Sequence, residues 1–241
     1  MPEPLPPSPD FLPAAESLGV GFDPGDVERL GLYLALLFEA NQQQNLTAIT
    51  DPIEAWRKHI LDSLTLIAPL AELPEGARVI DVGSGGGVPG LPLACVLPKV
   101  RFTLLEATGK KVEFLRHAAG TLGLENVAVL HGRAETLAHE RAHREAYDAV
   151  VARAVGPMPT LAELTIPLVK VNGWVMCIKG GKAEQELEEA GEAIALLGAR
   201  FEQILDTPTG KIVILSKPTR TPRLYPRADG LPKAKPLGMK R

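Results

Sequence analysis

The chain has 241 residues, with 26 lysines and arginines against 29 aspartates and glutamates, and two cysteines. This length predicts one large domain, or one domain with an appendage. Both cysteines lie in apolar runs and resemble buried small hydrophobic residues, so no disulfide framework is implied. The sequence shows no secretory or membrane-spanning run, so we expect a cytoplasmic protein.

The first part of the chain predicts helices. Residues 1–10 are rich in proline and are expected to be poorly ordered. Apolar residues recur at helical spacing across residues 25–45, and Asp51-Pro52-Ile53-Glu54 forms a capping box that opens a second helix through about Ala68. These patterns predict an N-terminal helical segment over residues 1–72.

The most informative segment follows, where a β-branched run from Val79 to Val82 leads into a glycine-rich loop and then an apolar helix. Residues 85–90 satisfy the dinucleotide pattern G-x-G-x-x-G, a match that is weak on its own. In a dinucleotide site, the first glycine follows the strand directly and the helix start faces a negatively charged pyrophosphate. Here Asp81 stands ahead of the glycines, and an acid suits the sulfonium and ammonium groups of S-adenosylmethionine better. We therefore expect S-adenosylmethionine as the cofactor, with an NAD-dependent oxidoreductase as the alternative.

Two further acids stand after predicted strands. Glu106 follows a strand near 101–105, at about the distance where such folds place a ribose-binding acid, and its two oxygens can accept both ribose hydroxyls. A third strand, near 126–130, leads to Ala134 and Glu135, whose backbone and carboxylate would lie where an adenine edge is read. Glu135 fits equally well as an acid that stabilises the first turn of a helix. The sequence leaves these two interpretations open.

From Arg78 onward, predicted strands and helices alternate, which indicates a parallel α/β sheet with right-handed crossovers. Strands are predicted near residues 78–82, 101–105, 126–130, 147–152, 173–178, 201–207 and 211–216. Helices are predicted near residues 89–97, 109–123, 159–168 and 183–198. The last two strands are separated only by Thr207-Pro208-Thr209-Gly210, which is short enough for an antiparallel hairpin.

The end of the chain carries a strong positive charge. Residues 217–241 hold eight lysines and arginines against one aspartate. This segment places Tyr225 between Arg223 and Arg227, so it can neutralise phosphates and stack on a base. A solvated tail that binds nothing is the alternative. Further candidates for phosphate contacts are Lys110, Lys111, Arg116 and Lys179.

A zinc-protease pattern, H-E-x-x-H, is satisfied by His139-Glu140-Arg141-Ala142-His143. Arg133, Arg141 and Arg144 surround this segment, and these cations oppose the binding of another cation. The sequence offers no convincing third ligand, so we expect no metal.

Several of these segments together resemble the ribosomal RNA small subunit methyltransferase G family, also called the glucose-inhibited division protein B family. The resemblance rests on residues 81–93, 109–115, 132–135 and 152–154, together with Asn45-Leu46-Thr47, residues 59–64 and Tyr225-Pro226-Arg227. It implies a Rossmann-like class I methyltransferase, an α/β fold with a seven-stranded, mostly parallel sheet and an N-terminal helical appendage. Residues 73–217 would then form the S-adenosylmethionine-binding domain, and residues 218–241 a basic C-terminal tail.

The resemblance also implies an activity, S-adenosylmethionine-dependent methyl transfer to N7 of a guanosine in bacterial 16S rRNA or the small ribosomal subunit. Carried over by position, the cofactor contacts are Gly83, Val88, Glu106, Ala107, Thr108, Ala134, Glu135 and Arg153. Arg153, just after the fourth strand, is expected to position the cofactor or the base. The family usually has Phe at the position of Val88 and more often Asp at that of Glu106. We expect a monomer, and a non-catalytic RNA-binding protein that retains the fold is the remaining alternative.

Overall fold

The computed structural model describes residues 1–238, and its central feature is a sheet of seven strands. The strands are β1 (Arg78–Val82), β2 (Arg101–Glu106), β3 (Val127–His131), β4 (Tyr147–Arg153), β5 (Val169–Lys179), β6 (Arg200–Thr207) and β7 (Gly210–Ser216). Their order in the sheet is β3-β2-β1-β4-β5-β7-β6. The pairs β1–β4, β4–β5 and β2–β3 are parallel, whereas β7 is antiparallel to both β5 and β6. The predicted fold class is confirmed.

The main helices lie where the periodicity predicts them. They are α1 (Phe11–Ser17), α2 (Asp26–Gln44), α3 (Pro52–Ala55), α4 (Asp62–Leu64), α5 (Ile67–Ala71), α6 (Gly90–Val96), α7 (Gly109–Thr121), α8 (Ala134–Leu137), α9 (Met158–Thr165), α10 (Ala183–Leu196) and α11 (Leu231–Ala234). The sequence patterns do not predict the short helices α1 and α11, whereas α8 begins at the helix start that one of the two interpretations of Glu135 implies. Within residues 1–238, no helix combines the length and the apolar character needed to cross a membrane.

The helix expected from Asp51 through Ala68 is interrupted by a π-helical stretch, Trp56–Leu61. The predicted helix start is nevertheless present, because Asp51 Oδ1 accepts a hydrogen bond from the Glu54 N–H (2.8 Å). The cap residue therefore fixes where the helix begins, as the sequence indicates.

The chain forms two compact units. The first comprises Met1–Ala77 and Ser84–His131, and the second comprises Arg78–Gly83 together with the chain from Gly132 onward. The division into residues 1–72, 73–217 and 218–241 stays a prediction, and its last three residues lie outside the described part of the chain.

The first unit is built on the helices of the N-terminal segment. Its core contains the fully buried side chains of Tyr33 and Trp56, and the Trp56 ring centroid lies 4.5 Å from that of Phe11. Contrary to the prediction, the proline-rich start of the chain is packed against α2, where the Leu5 N–H donates to Gly31 O (3.1 Å). A Cβ at Gly31 would lie 2.3 Å from Leu5 O, so a glycine is needed in α2 for this close approach.

In the second unit, a lysine is buried directly after β7. Lys217 Nζ donates to Ile166 O (2.9 Å) and Val169 O (2.8 Å) and pairs with the Glu145 carboxylate (2.9 Å). The side chain is fully buried and satisfies one carbonyl group in the connection between α9 and β5 and one at the first residue of β5. Burial lowers the pKa of Lys217 to about 8, although the Glu145 carboxylate acts in the opposite direction.

A Lys217→Met variant is expected to lose a pH-dependent part of the free energy of unfolding. Because the folded pKa of about 8 lies below the unfolded value of about 10.4, the unfolded chain binds more protons between these two values. The contribution of Lys217 to the free energy of unfolding therefore rises with pH across this window. Urea unfolding of both proteins at about pH 8 and about pH 10 should show the wild-type protein gaining about 1–3 kcal/mol relative to the variant.

The two cysteines also make the free energy of unfolding depend on pH in this range, but in the direction opposite to that of Lys217. Burial raises the pKa of the Cys95 and Cys177 thiols to about 12, so unfolding releases their protons above about pH 8.5 and stability falls. Because wild type and variant share both thiols, the difference between the two proteins isolates Lys217. A difference that does not change with pH would contradict the depressed pKa.

Candidate cofactor site

The loop between β1 and α6 turns through glycines in conformations that other residues rarely adopt. Gly83, Gly85 and Gly87 have φ values of +74°, +55° and +98°. The Gly87 N–H donates to Ser84 O (2.7 Å), and Gly87 O accepts from the Leu91 N–H (2.7 Å) at the start of α6. A Cβ on Gly87 would meet the Leu91 side chain at 2.5 Å, so this turn requires glycine.

Helix α2 holds the same loop from another side. The buried Tyr33 hydroxyl donates to Gly86 O (2.7 Å). A Cβ on Gly86 would lie 3.0 Å from Leu37 Cδ1 and 3.4 Å from Leu46 O. The loop is therefore packed against α2 and the residues that follow it. Sequence reasoning missed this contact, because an aromatic residue in α2 also fits an ordinary apolar helix face.

Glu106 ends β2, and only 7% of the residue is exposed. Its Oε2 accepts the Gly85 N–H (3.0 Å), and its Oε1 accepts the Thr108 N–H (2.7 Å). Each carboxylate oxygen has about two acceptor positions, so both oxygens can accept a further donor. Glu106 therefore braces the glycine loop, a role that the sequence does not predict, and still has acceptor capacity for two ribose hydroxyls.

Ala134 and Glu135 form the first turn of α8, and both are buried. Glu135 Oε1 accepts the Gly230 N–H (2.9 Å), and the adjacent Thr136 hydroxyl donates to Asp229 (2.9 Å). The carboxylate has acceptor positions beyond this single bond. It also lies where an acid stabilises a helix, so both interpretations of Glu135 fit its position. The contact with Gly230 leaves no trace in the sequence, because 95 positions separate the two residues.

Arg153 is the last residue of β4 and is half-buried, with its Cα opposite that of Ile178 in β5. Ala154 follows with a φ of +56°, which turns the chain after the strand. Gly83, which follows β1, approaches the same turn, since a Cβ on it would lie 2.9 Å from Val155 Cγ2. The residues after the parallel neighbours β1 and β4 therefore come together at one edge of the sheet.

Each unit contains four of the residues predicted to contact the cofactor. The first unit contains Val88, Glu106, Ala107 and Thr108, and the second contains Gly83, Ala134, Glu135 and Arg153. Val88 packs partly buried against the apolar core of the first unit, whereas Ala107 and Thr108 are exposed. Asp81, the acid that favours a cationic ligand, is fully buried in β1.

Two basic residues proposed for phosphate contacts instead form ion pairs with carboxylates of the protein itself. Lys179 Nζ lies 2.5 Å from a Glu186 carboxylate oxygen, and 9% of the lysine side chain is exposed. Arg227, in the basic C-terminal segment, pairs with Glu163 in α9 (2.7 Å). Through this pair and the Gly230 contact, the described part of the C-terminal segment packs against the rest of the second unit rather than forming a solvated tail.

The H-E-x-x-H segment lies in turns rather than on a helix. His139 Nε2 lies 2.7 Å from Pro226 O, and His143 Nδ1 lies 2.7 Å from the Tyr147 hydroxyl. Burial holds the pKa of His143 below its usual value. Among the described residues, 1–238, no group of three or more His, Cys, Asp or Glu side chains is placed to hold a metal ion.

Comparison with known proteins identifies the family. The family model described as GidB, rRNA small subunit methyltransferase G, matches residues 26–212. The Ribosomal RNA small subunit methyltransferase G of Sorangium cellulosum is 48% identical over 223 residues, which cover 92% of this chain and 93% of that protein. The protein of the same name from Moorella thermoacetica is 42% identical over 229 residues, which cover 92% of this chain and 95% of that protein.

A solved structure shows the same fold at low sequence identity. The structure of MtNAS in complex with MTA and tNA has a TM-score of 0.53 at 17% identity, covering 86% of this chain and 81% of that one. Since the family model spans most of the chain and the relatives match nearly its full length, the resemblance read from the sequence is confirmed. This chain belongs to the rRNA small subunit methyltransferase G family.

Proposed function

We propose that the protein transfers a methyl group from S-adenosylmethionine to N7 of a guanosine in bacterial 16S rRNA. Family membership supports the reaction, and one structural observation supports the cofactor. The buried Glu106 carboxylate braces the glycine loop through Gly85 and keeps acceptor capacity for further donors. A carboxylate beside backbone that carries no Cβ suits a close-lying ligand with two adjacent hydroxyls, such as an adenosine ribose.

The remaining contacts follow from the positions of the other predicted residues. Glu106 accepts the ribose hydroxyls, while the Ala134 backbone and the Glu135 carboxylate read the adenine edge. Val88 supplies an apolar floor under the methionine part, and its side chain is smaller than the Phe usual in the family. The contact set is completed by Gly83, Ala107, Thr108 and Arg153.

The reaction requires the alignment of the reacting atoms and no proton transfer. The bound cofactor supplies an electrophilic methyl group. Guanine N7 carries an in-plane lone pair and no proton at neutral pH, so the protein needs no general base. Holding the reacting atoms in line contributes on the order of 7–11 kcal/mol when the geometry is close to that of attack.

We assign the positioning of the base to Arg153. Methyl transfer moves positive charge onto the base, so a cation close to N7 would raise the barrier. A guanidinium that donates to guanine O6 can hold the base in place without lying directly beside the positive charge that forms on methylation at N7. Arg153 suits this task because it ends β4, is half-buried, and is followed by the turn at Ala154.

The test uses methyl-labelled S-adenosylmethionine and rRNA that lacks the modification. Purified protein is incubated with small ribosomal subunits, or with naked 16S rRNA, and the labelled nucleoside is identified. We expect 7-methylguanosine from at least one of these substrates, formed equally well by protein that has been treated with EDTA and then freed of the chelator. We also propose that the protein is a monomer and is cytoplasmic. Label on another atom would contradict the N7 assignment. Binding of rRNA without methylation would indicate a non-catalytic RNA-binding protein. Binding of NAD in place of S-adenosylmethionine would indicate an oxidoreductase.

A further inference from the structure

The second unit contains a cavity of about 610 Å³ that is lined mainly by arginines. Arg141 comes from the turns after α8, and Arg220 and Arg223 come from the segment after β7. All three are exposed. Arg144 and His139 also line this space, which we call the arginine cavity. Two stretches of chain far apart in sequence thus bring their cations to one place.

The acidic residue in this lining, Glu145, already has partners within the protein. Its carboxylate pairs with the buried Lys217 (2.9 Å) and accepts the Thr221 N–H (2.9 Å). Arg220 also lies close enough to help lower the pKa of Lys217, after the larger effect of burial. Cations therefore crowd this part of the unit, and the lining carries a net positive charge.

None of the guanidinium groups of the cavity forms a salt bridge among the residues described. Arg144 donates to neutral carbonyl oxygens at 2.8–3.1 Å, those of Ala138, Thr221, Pro222 and Tyr225. In the described range 1–238, no salt bridge involves Arg141, Arg220 or Arg223. Their charges are accordingly available to an anionic ligand.

The backbone beneath two of these arginines is firmly packed. The buried Thr221 hydroxyl donates to Leu197 O at the end of α10 (2.8 Å). A Cβ on Gly198 would lie 2.9 Å from Thr219 O, so the segment that carries Arg220 and Arg223 rests directly on this glycine. Binding would then order side chains only, since the chain that presents them is already fixed.

We propose that the arginine cavity binds phosphodiester groups of the rRNA substrate, an inference that rests on the proposed function and adds a contact surface to it. Guanidinium groups match phosphate oxygens with paired N–H donors. A cluster of cations without free acids suits a chain of regularly spaced negative charges. This assignment keeps Arg220 and Arg223 of the basic segment that the sequence indicates and adds Arg141 from another stretch of chain. It leaves out Arg227 and Lys179, because each of these pairs with a carboxylate of its own.

An Arg220→Gln/Arg223→Gln variant tests the proposal. Binding of 16S rRNA is measured at several KCl concentrations, and the loss of two phosphate contacts should flatten the slope of log K against log salt by roughly 1.4–1.8. The affinity ratio of wild type to variant should therefore shrink about tenfold between about 50 and about 200 mM KCl. In methylation assays, KM for rRNA should rise while kcat at saturating rRNA is unchanged. Unchanged affinity for S-adenosylmethionine shows that the variant is folded.

A Lys99→Gln/Arg101→Gln variant is the matched control, because it removes the same charge from two exposed positions beside the start of β2. Its salt slope should equal that of the wild-type protein. Arg141→Gln, from the other stretch of chain in the cavity, should flatten the slope by roughly 0.7–0.9.

The proposal is overturned if the cavity variants keep the wild-type salt slope and KM, or if the control variant flattens the slope equally. If the cavity variants lose rRNA affinity but the wild-type protein methylates no rRNA, the proposed function fails and the binding surface stands. If rRNA is methylated and the cavity variants bind it normally, the function stands and this surface does not.

Discussion

An Arg227→Met variant is expected to have a free energy of unfolding about 3–5 kcal/mol lower than that of the wild-type protein. Glu163 is fully buried in α9, and the Arg227 guanidinium donates to both of its carboxylate oxygens at 2.7–3.1 Å. The Arg227 backbone N–H adds a further bond to the same carboxylate (2.7 Å). Methionine keeps the backbone bond and much of the packing but removes the counter-charge, and a buried carboxylate without one is costly.

Urea unfolding at neutral pH measures this loss. A Glu163→Met/Arg227→Met double variant should recover part of it, because no unpaired charge is then buried. Arg223→Met, an exposed arginine of the same segment, is the matched control and should change the free energy of unfolding by less than about 0.5 kcal/mol. A loss below about 1 kcal/mol for Arg227→Met would mean that the pair behaves like a solvent-exposed one.

A Glu106→Ala variant is expected to bind S-adenosylmethionine about 1.5–3 kcal/mol more weakly, which corresponds to a dissociation constant raised roughly 10- to 150-fold. The substitution removes the proposed acceptor of the ribose hydroxyls. It also releases the N–H groups of Gly85 and Thr108, which the carboxylate holds at 3.0 Å and 2.7 Å. Both losses weaken binding, so the effect should lie toward the upper end of the range.

Calorimetric titration with S-adenosylmethionine gives the dissociation constants. Glu113→Ala removes the same charge from an exposed position in α7 and should bind like the wild-type protein. Glu106→Gln keeps one acceptor oxygen, so its dissociation constant for S-adenosylmethionine should lie between those of the alanine variant and the wild-type protein. Wild-type affinity in a folded Glu106→Ala protein would place the ribose elsewhere and remove the main structural support for the cofactor assignment.

The sequence predicts the sheet well because its strands contain apolar residues, several of them β-branched, and many are bounded by glycine, proline or acids. It fails where local signals conflict with tertiary packing. The strand predicted near 173–178 extends back to Val169 in β5, through an Asn172-Gly173 pair that normally indicates a turn. Asn172 has a φ of +65°, and a Cβ on Gly173 would lie 2.6 Å from Asp148 O, so the pair serves as an irregularity within a paired strand.

The candidate site shows a similar division. Glu106 could be found from its place after a strand, since strand ends follow from local patterns. The hydrogen bond between Glu135 and Gly230 and the pair between Glu163 and Arg227 could not, because they join residues 95 and 64 positions apart. Such contacts depend on how a finished fold brings two chain segments together, and neither periodicity nor turn chemistry records them. The arginine cavity was missed for the same reason.

The hydrogen bond from Tyr33 to Gly86 has a thermodynamic consequence. It joins α2 to a loop 53 positions away in sequence, so opening either one must break the same buried contact. Any ligand that binds only the closed loop adds RT ln(1 + [L]/Kd) to the free energy of that opening. Saturation of the glycine loop would accordingly slow amide hydrogen exchange in the middle of α2, and this helix would report the occupancy of a site that it does not itself line.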